Sequence, residues 1–287
     1  MRKTTSHLTA IAVSALAIAA FSSCQKTVTD DQLSETQVSE LREYVAATVG
    51  TTADKVIYNA QAGNFAIGDG LVSLEDAMTR MKYVPLDGGS TANKMSQRIN
   101  YYTVSSAKQS NIRMYADASV PADWLAALDN AIANWNSTNS NIYITRVTSA
   151  TTTTTTTTGG NGKGKKNNGG STTTTTTTPS YDILVTTTYN NATSTIATAY
   201  YPDYYGNPGR SITINTYYNY LNASYKVFAL THEAGHNIGF SHTDQTYGTL
   251  VPGTPEVDPN SVMNSFVLPW AGFTSYDVTA VNTVYPR

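Results

Sequence analysis

The segment THEAGHNIGFSH, residues 231–242, constrains what this chain can fold into more than any other stretch. His232 and His236 are four residues apart, so a helix places both imidazoles on one face, one turn from each other. Two imidazole nitrogens in that arrangement can bind one metal ion at about 2.0–2.1 Å. The spacing therefore predicts a helix with a metal ion on its histidine face.

The residues around this helix predict a third ligand and a proton acceptor. Gly239 can end the helix in a left-handed turn without Cβ strain, and the chain can then bring His242 back to the metal. Three protein ligands leave one position for water, which is typical of a catalytic zinc site. Glu233, next to the first ligand, is placed to take a proton from that water. The alternative is a helix with incidental histidines, but of the four histidines only His7 lies elsewhere.

The pattern H-E-x-x-H-x-x-G-x-x-H followed by a methionine turn resembles that of the metzincin zinc proteases. The candidate turn is SVMNS, residues 261–265, in which Met263 would form an apolar floor under the zinc. The alternative for this methionine is ordinary packing. Some metzincins carry a tyrosine ligand two residues later, where this chain has Ser265. Within the group the chain is most similar to the bacterial dual-action HEIGH metallo-peptidases, with Ala234 replacing the isoleucine of the family name.

This resemblance implies an α+β fold for residues 101–287, with a twisted mixed sheet, an active-site helix, the methionine turn and a C-terminal helix. It implies a zinc endopeptidase with Glu233 as general base. Substrate would lie antiparallel along the edge strand of the sheet, one of two strands expected between residues 194 and 216, with a specificity pocket walled by residues 243–270. Calcium binds some relatives, but no ligand spacing stands out among the acidic loop residues Asp203, Asp244, Glu256 and Asp258.

The first residues have the composition of an export signal. Residues 1–23 begin with positive charge, continue through an apolar stretch too short for a stable membrane span, and end in small residues before Cys24. This cysteine, the only one in the chain, predicts a lipoprotein signal in which it is lipidated. The alternative is an ordinary secretory signal with an incidental cysteine. Lipidation at Cys24 would anchor an exported protein in a bacterial cell envelope.

The charge balance narrows the range of partners. A net charge of −2 with only 13% charged residues argues against nucleic acid and against a polybasic membrane patch. The resemblance implies a protein or peptide substrate, and we expect a monomer that contacts the membrane only through its lipid.

Residues 24–100 predict a tether and a small α+β domain of the kind that precedes a protease as a pro-segment. One stretch partly resembles the F-x-G-D-x-I motif by which astacin-type pro-segments place an aspartate on the zinc. Gly68 and Asp69 match, Leu71 replaces the isoleucine, and Phe65 stands one residue early. We hypothesise that Asp69 caps the metal in a latent form. The alternative is a G-D-G hairpin turn.

Between the two halves of the catalytic sheet lies an unusual insertion, residues 149–179. Two threonine tracts flank a centre rich in glycine and lysine, and nothing in the insertion can form a core. We expect it to be disordered.

Two functions besides proteolysis fit parts of the sequence. One is a catalytically silent surface lipoprotein or adhesin on the same fold, and the other is a metal-storage protein. Neither needs a proton acceptor beside the histidines, so the presence of Glu233 favours the enzyme.

Overall fold

The computed structural model describes residues 33–83, 97–158, 172–245, 248–255 and 258–287. Residues Ser34–Arg287 form one compact unit. The export signal, residues 1–23, and Cys24 lie outside the described residues and stay predictions. No helix in the described ranges has both the length and the apolar character needed to cross a bilayer.

The N-terminal part of the compact unit has two helices around a three-stranded antiparallel meander. Its elements are α1 Glu35–Val49, a 3₁₀ turn Ala53–Lys55, β1 Ile57–Asn59, β2 Asn64–Ile67, β3 Gly70–Ser73 and α2 Leu74–Tyr83. A capping box between Ser34 and Gln37 begins α1, and Gly50 ends it at a φ of 76°. Strand β3 directly follows the turn at Gly68 and Asp69, which the sequence offered as a hairpin turn.

The rest of the unit follows the predicted order of strands and helices. Its strands are β4 Arg98–Ile99, β5 Ile112–Ala116, β6 Ile144–Val147, β7 Thr151–Thr158, β8 Thr172–Pro179, β9 Ile183–Thr188, β10 Ala197–Tyr200, β11 Ser211–Asn215, β12 Phe240–Ser241 and β13 Thr249–Leu250. Its helices are α3 Ala122–Asn136, a 3₁₀ segment Thr216–Tyr220, α4 Ala223–Asn237 and α5 Ser275–Val284.

An eight-stranded mixed sheet organises these elements, in the order β1-β2-β3-β10-β11-β9-β5-β6. Strands β5, β6, β9 and β11 are mutually parallel, and β10 runs antiparallel to β11. The predicted α+β fold with a mixed sheet is confirmed. The N-terminal meander joins this sheet through β3, which pairs in parallel with β10.

Helix α3 supplies the aromatic part of the core. Trp124, Leu128 and Trp135 recur at helical spacing and are at most 2% exposed. The indole of Trp135 donates to the carbonyl of Thr231 at 2.9 Å, which fastens α3 to α4. The helix that carries the histidines is therefore held rigidly over the core.

The prediction of disorder for residues 149–179 is wrong for the two threonine tracts. Strands β7 and β8 pair antiparallel from Thr151 opposite Pro179 to Thr158 opposite Thr172. Threonine is β-branched and favours extended backbone, and two strands of equal length can pair along their whole length without a core. Residues 159–171, the centre of the insertion, lie outside the described residues.

A second, three-stranded sheet was not predicted. Strand β4 pairs with both β12 and β13, in the order β12-β4-β13. The buried guanidinium of Arg98 donates to the carbonyl of Gly248 at 2.9 Å. This sheet fixes the path of the chain on both sides of His242.

Candidate metal centre and active site

Helix α4 is almost entirely buried, which is unusual for a segment with so many polar residues. Its N-cap is Asn222, whose side chain accepts from the backbone of Ser224 and Tyr225. All residues from 226 to 237 are buried. Polar side chains at such positions need partners, and these partners define the site.

Three imidazoles converge at the C-terminal end of this helix. The Nε2 atoms of His232 and His236 are 3.1 Å apart, and each lies 3.2 Å from Nε2 of His242. Three nitrogens about 2.0–2.1 Å from one tetrahedral metal would be separated by about 3.3 Å. The spacing of the three atoms therefore fits a single zinc ion.

The other ring nitrogens orient two of these imidazoles. Nδ1 of His232 donates to the carbonyl of Val262, and Nδ1 of His236 donates to that of Phe240, each at 2.7 Å. An imidazole that donates through Nδ1 presents a lone pair at Nε2, which is the form that binds metal. Burial lowers the pKa of His236 to about 4, which also keeps its ring neutral.

The third histidine reaches the centre through a turn that needs glycine. Gly239 has a φ of 105°, in the left-handed region, and its carbonyl accepts from the backbone of Asn100 at 2.7 Å. Strand β12 then pairs with β4 and delivers His242. The predicted helix end at Gly239 is found one residue beyond the cap at Ile238.

Asp69 lies on the same three nitrogens although it is far away in sequence. Its Oδ1 is 2.8 Å from His242 and 3.0 Å from His236, and its Oδ2 is 3.5 Å from His232. It stands in the tight turn between β2 and β3, beside Gly68 at a φ of 64°. Burial acts to raise the pKa of Asp69, but the charge and hydrogen bonds of the imidazoles outweigh it and hold that pKa well below its usual range. A carboxylate is therefore available as a fourth ligand.

Glu233 is buried beside this cluster without being part of it. Its Oε2 has no hydrogen-bond partner among the described residues. Burial raises the pKa of Glu233 well above its usual value, and the charge of Asp69 adds to the effect. An orphaned carboxylate oxygen next to a metal-binding cluster is suited to exchanging a proton with a reactant.

The methionine turn lies under helix α4. Met263 is 1% exposed, and its sulfur packs where a Cβ on Gly235 would stand. Its carbonyl accepts from the backbone of Thr243 at 2.9 Å, which ties the turn to the residue after the third histidine. Ser265 hydrogen-bonds Asp244 at 2.6 Å instead of pointing to the metal cluster.

A cleft of about 440 Å³ opens beside the cluster. Its walls include Thr195 and Ile196 just before β10, Phe228 on helix α4, and residues 264–267, which begin within the methionine turn. These last residues fall within the predicted wall, residues 243–270. The cleft is wide enough for a peptide side chain next to the histidines.

The other acidic residues considered for calcium do not gather. Asp203, Asp244 and Asp258 are occupied by hydrogen bonds to Asn207, Ser265 and Thr274 respectively. Glu256 lies outside the described residues. Within the described ranges, the only group of three or more potential metal ligands is Asp69 with the three histidines.

Sequence reasoning did not anticipate Tyr201. Its ring packs edge-on against His236, with centroids 5.1 Å apart, and the residue is buried. With twenty tyrosines in the chain, no local signal distinguishes this one. Its position depends on β10, which ends one residue earlier.

Comparison with known proteins identifies a family for this chain. A family model described as the dual-action HEIGH metallo-peptidase matches residues 68–249, well over half of the chain. No curated protein sequence matches significantly.

Among solved structures, a crystal structure of myroilysin is 13% identical, with a TM-score of 0.37, and the match covers 69% of this chain and 97% of that one. High choriolytic enzyme 1, a hatching enzyme zinc-protease from Oryzias latipes (Medaka fish), is 16% identical, with a TM-score of 0.37, and covers 64% and 93% respectively. The family match spans Asp69 and the three histidines of the cluster, and the chain belongs to the dual-action HEIGH metallo-peptidases, a family of zinc peptidases.

Proposed function

We propose that His232, His236 and His242 hold the catalytic zinc of an endopeptidase in which Glu233 is the general base. The observation that carries this proposal is the convergence of three Nε2 atoms within 3.2 Å, beside a buried carboxylate oxygen without a partner. A storage site would not need that carboxylate.

A zinc ion held by His232, His236 and His242 would supply Lewis-acid chemistry: it would polarise a carbonyl and lower the pKa of a bound water to about 7. Glu233 accepts the proton as water attacks the peptide carbonyl, and then gives it to the leaving amine. Burial raises the pKa of Glu233. A carboxyl with a raised pKa can take the proton of water near neutral pH and can also return it to the leaving amine. Val262 and Phe240 hold the imidazoles in the required tautomer throughout.

Removal of the metal is expected to destabilise the protein and to abolish peptide cleavage. A ligand present at a hundred times its dissociation constant stabilises the folded state by about 2.7 kcal/mol, so dialysis against a zinc chelator should lower the unfolding midpoint. Added zinc should restore the unfolding midpoint. Mass spectrometry of the metal content should then find one zinc ion per chain. His236→Ala should lose the zinc, whereas Glu233→Gln, which changes no proposed ligand, should keep it. Equal metal content in these two variants would contradict the assignment of ligands.

We further propose that the N-terminal meander keeps this enzyme latent. The family resemblance implies that substrate lies antiparallel to the edge strand of the catalytic sheet. Strand β3 occupies that edge of β10 in the parallel direction. Backbone groups that would bind substrate are already paired: the N–H of Ala199 donates to the backbone carbonyl of Asp69 at 3.1 Å, and that of Tyr201 to the carbonyl of Leu71 at 2.9 Å. The turn that leads into β3 brings Asp69 to the histidines. Asp69 can therefore shape a tight turn and cap the metal at the same time.

A buried arginine fastens this meander to the catalytic part. Arg80 on α2 is fully buried, pairs with Asp76, and donates to the carbonyl of Pro202 at 2.6 Å. Its guanidinium also lies 4.2 Å from the ring centre of Tyr102. Asp76 in turn accepts from the backbone of Tyr204 at 2.8 Å. Release of the meander therefore breaks the hydrogen bonds of Arg80 with Pro202 and of Asp76 with Tyr204, and exposes a buried ion pair to water.

Arg80→Met is expected to loosen the meander and to raise basal activity. Breaking a buried pair by removing one partner costs about 3–5 kcal/mol, because it leaves the other charge buried. Hydrogen exchange should become faster in β2 and β3 but not in β5 or β9. The matched control is Arg113→Met, whose pair with Asp182 is more than a third exposed on the arginine side and is worth about 1 kcal/mol or less. Unchanged exchange in β2 and β3 would contradict the anchoring role of Arg80.

A further inference from the structure

Asp277, in the first turn of α5, makes more contacts than a helix cap needs. It forms a capping box with Thr274 at the start of this helix. The side chain is 4% exposed and accepts four hydrogen bonds, only one of which comes from the backbone of Thr274. The others come from residues outside the helix.

Two of these bonds reach the methionine turn. Oδ1 of Asp277 accepts from the hydroxyl of Ser261 at 2.7 Å, and Oδ2 accepts from the backbone of Val262 at 3.2 Å. The hydroxyl of Ser261 accepts in turn from the backbone of Met263 at 3.0 Å. The remaining bond, at 2.9 Å, comes from the amide of Gln97, beside β4. The carboxylate is therefore the point to which three successive residues of the turn are fixed.

The middle residue of this turn is the one that orients a histidine. Val262 donates its N–H to Asp277 and offers its carbonyl, at 2.7 Å, to Nδ1 of His232. The N–H and the carbonyl belong to the same residue, so a displacement of the turn also moves the carbonyl that orients the imidazole of His232. A carboxylate on α5 is connected in this way to the histidine face of α4.

We propose that Asp277 is a positioning residue for His232, acting through Val262 and Ser261. The inference rests on the proposed role of His232 as a zinc ligand. Asp277 touches neither the metal-binding nitrogens nor the cleft, so it acts only through the placement of the turn.

The hydrogen bonds explain why this position needs a carboxylate. All four partners of Asp277 are donors: two backbone N–H groups, one hydroxyl and one amide. An ionised carboxylate offers only acceptors, whereas an asparagine would turn an NH₂ group toward two of those donors. Asp277→Asn therefore keeps the shape of the side chain and disrupts half of its bonds.

The test compares Asp277→Asn with Thr274→Ala in the full chain. Both weaken the start of α5, because Thr274 accepts from the backbone of Asp277 at 3.0 Å, but only the first variant releases the turn. We expect Asp277→Asn to bind zinc about tenfold more weakly in competition with a chromophoric chelator, the lower end of the effect seen for groups that support metal ligands. With cobalt in place of zinc, its visible absorption bands should shift, whereas those of Thr274→Ala should match the parent protein.

Ser261→Ala provides a second variant in case Asp277→Asn does not fold. It removes one of the two links between the carboxylate and the turn, and should weaken zinc binding in the same direction by a smaller factor. Parent-like zinc affinity and cobalt spectra in Asp277→Asn, or in Ser261→Ala if only that variant folds, would overturn the inference. A parent protein that binds no zinc would instead contradict the proposed function.

Discussion

Glu233→Gln is expected to remove nearly all peptidase activity while leaving the zinc in place. General acid–base catalysis typically contributes a factor of about 10²–10⁴, and glutamine can neither accept nor return the proton. The side chain keeps its size in a fully buried position, so the fold and the three imidazoles should be undisturbed. The measurement is kcat on casein or a peptide library, with metal content determined on the same samples.

If the native chain is latent, its low activity would hide the effect of Glu233→Gln. The variant is therefore introduced both into the native sequence and into a chain that also carries Asp69→Asn. The matched control is Asp129→Asn, an acid-to-amide change at a partly exposed pair with Arg146, and it should leave kcat unchanged. A Glu233→Gln protein that still cleaves at more than about a tenth of the parent rate would exclude Glu233 as general base. If the parent, fully loaded with zinc, cleaves nothing, the catalytically silent lipoprotein becomes the better description.

Asp69→Asn is expected to activate the full-length chain without proteolysis. The carboxylate contacts all three histidines at 2.8–3.5 Å, and its charge favours a position on a cation. Asparagine is as well suited to a tight turn as aspartate but carries no charge, so it separates the two interpretations of this residue. Each 1.4 kcal/mol by which the chain favours the state with Asp69 on the histidines suppresses activity tenfold. We expect Asp69→Asn to raise the basal rate of peptide cleavage about tenfold or more.

The control for this experiment lies in the same segment. Asp54 is exposed, away from the histidines, and Asp54→Asn should leave the basal rate unchanged. If Asp69 only shapes the turn, Asp69→Asn should behave like Asp54→Asn. Equal basal rates in the two variants would thus remove Asp69 from the latency mechanism, while the assignment of Glu233 and the histidines would stand.

The N-terminal meander shows which features a local sequence pattern can predict and which it cannot. The turn at Gly68 and Asp69 is visible in the sequence because glycine and aspartate favour tight turns. The pairing of β3 with β10 is not visible, because the two strands are about 130 residues apart and both are only four residues long. Short strands carry too little periodicity to reveal their neighbours.

The same distinction holds for the supports of the metal centre. A motif can locate Met263, but the bonds that Asp277 makes with Ser261 and Gln97 join residues 16 and 180 positions apart. The prediction of disorder in the threonine tracts failed for a different reason. Their composition excludes a core, but β-branched residues can pair as strands without one.

The sequence by itself determined the metal-binding segment, because four-residue spacing on a helix and a glycine at its end are local geometry. It also determined the aromatic face of α3, since helical periodicity is local too. A partial motif pointed to Asp69, but only the tertiary structure decided between a metal cap and a plain turn by bringing its carboxylate to the histidines. Only the tertiary structure also decided that β3 covers the edge of β10 and that Asp277 supports the residue that orients His232. These contacts depend on how distant segments pack together, and no single stretch of the chain encodes them.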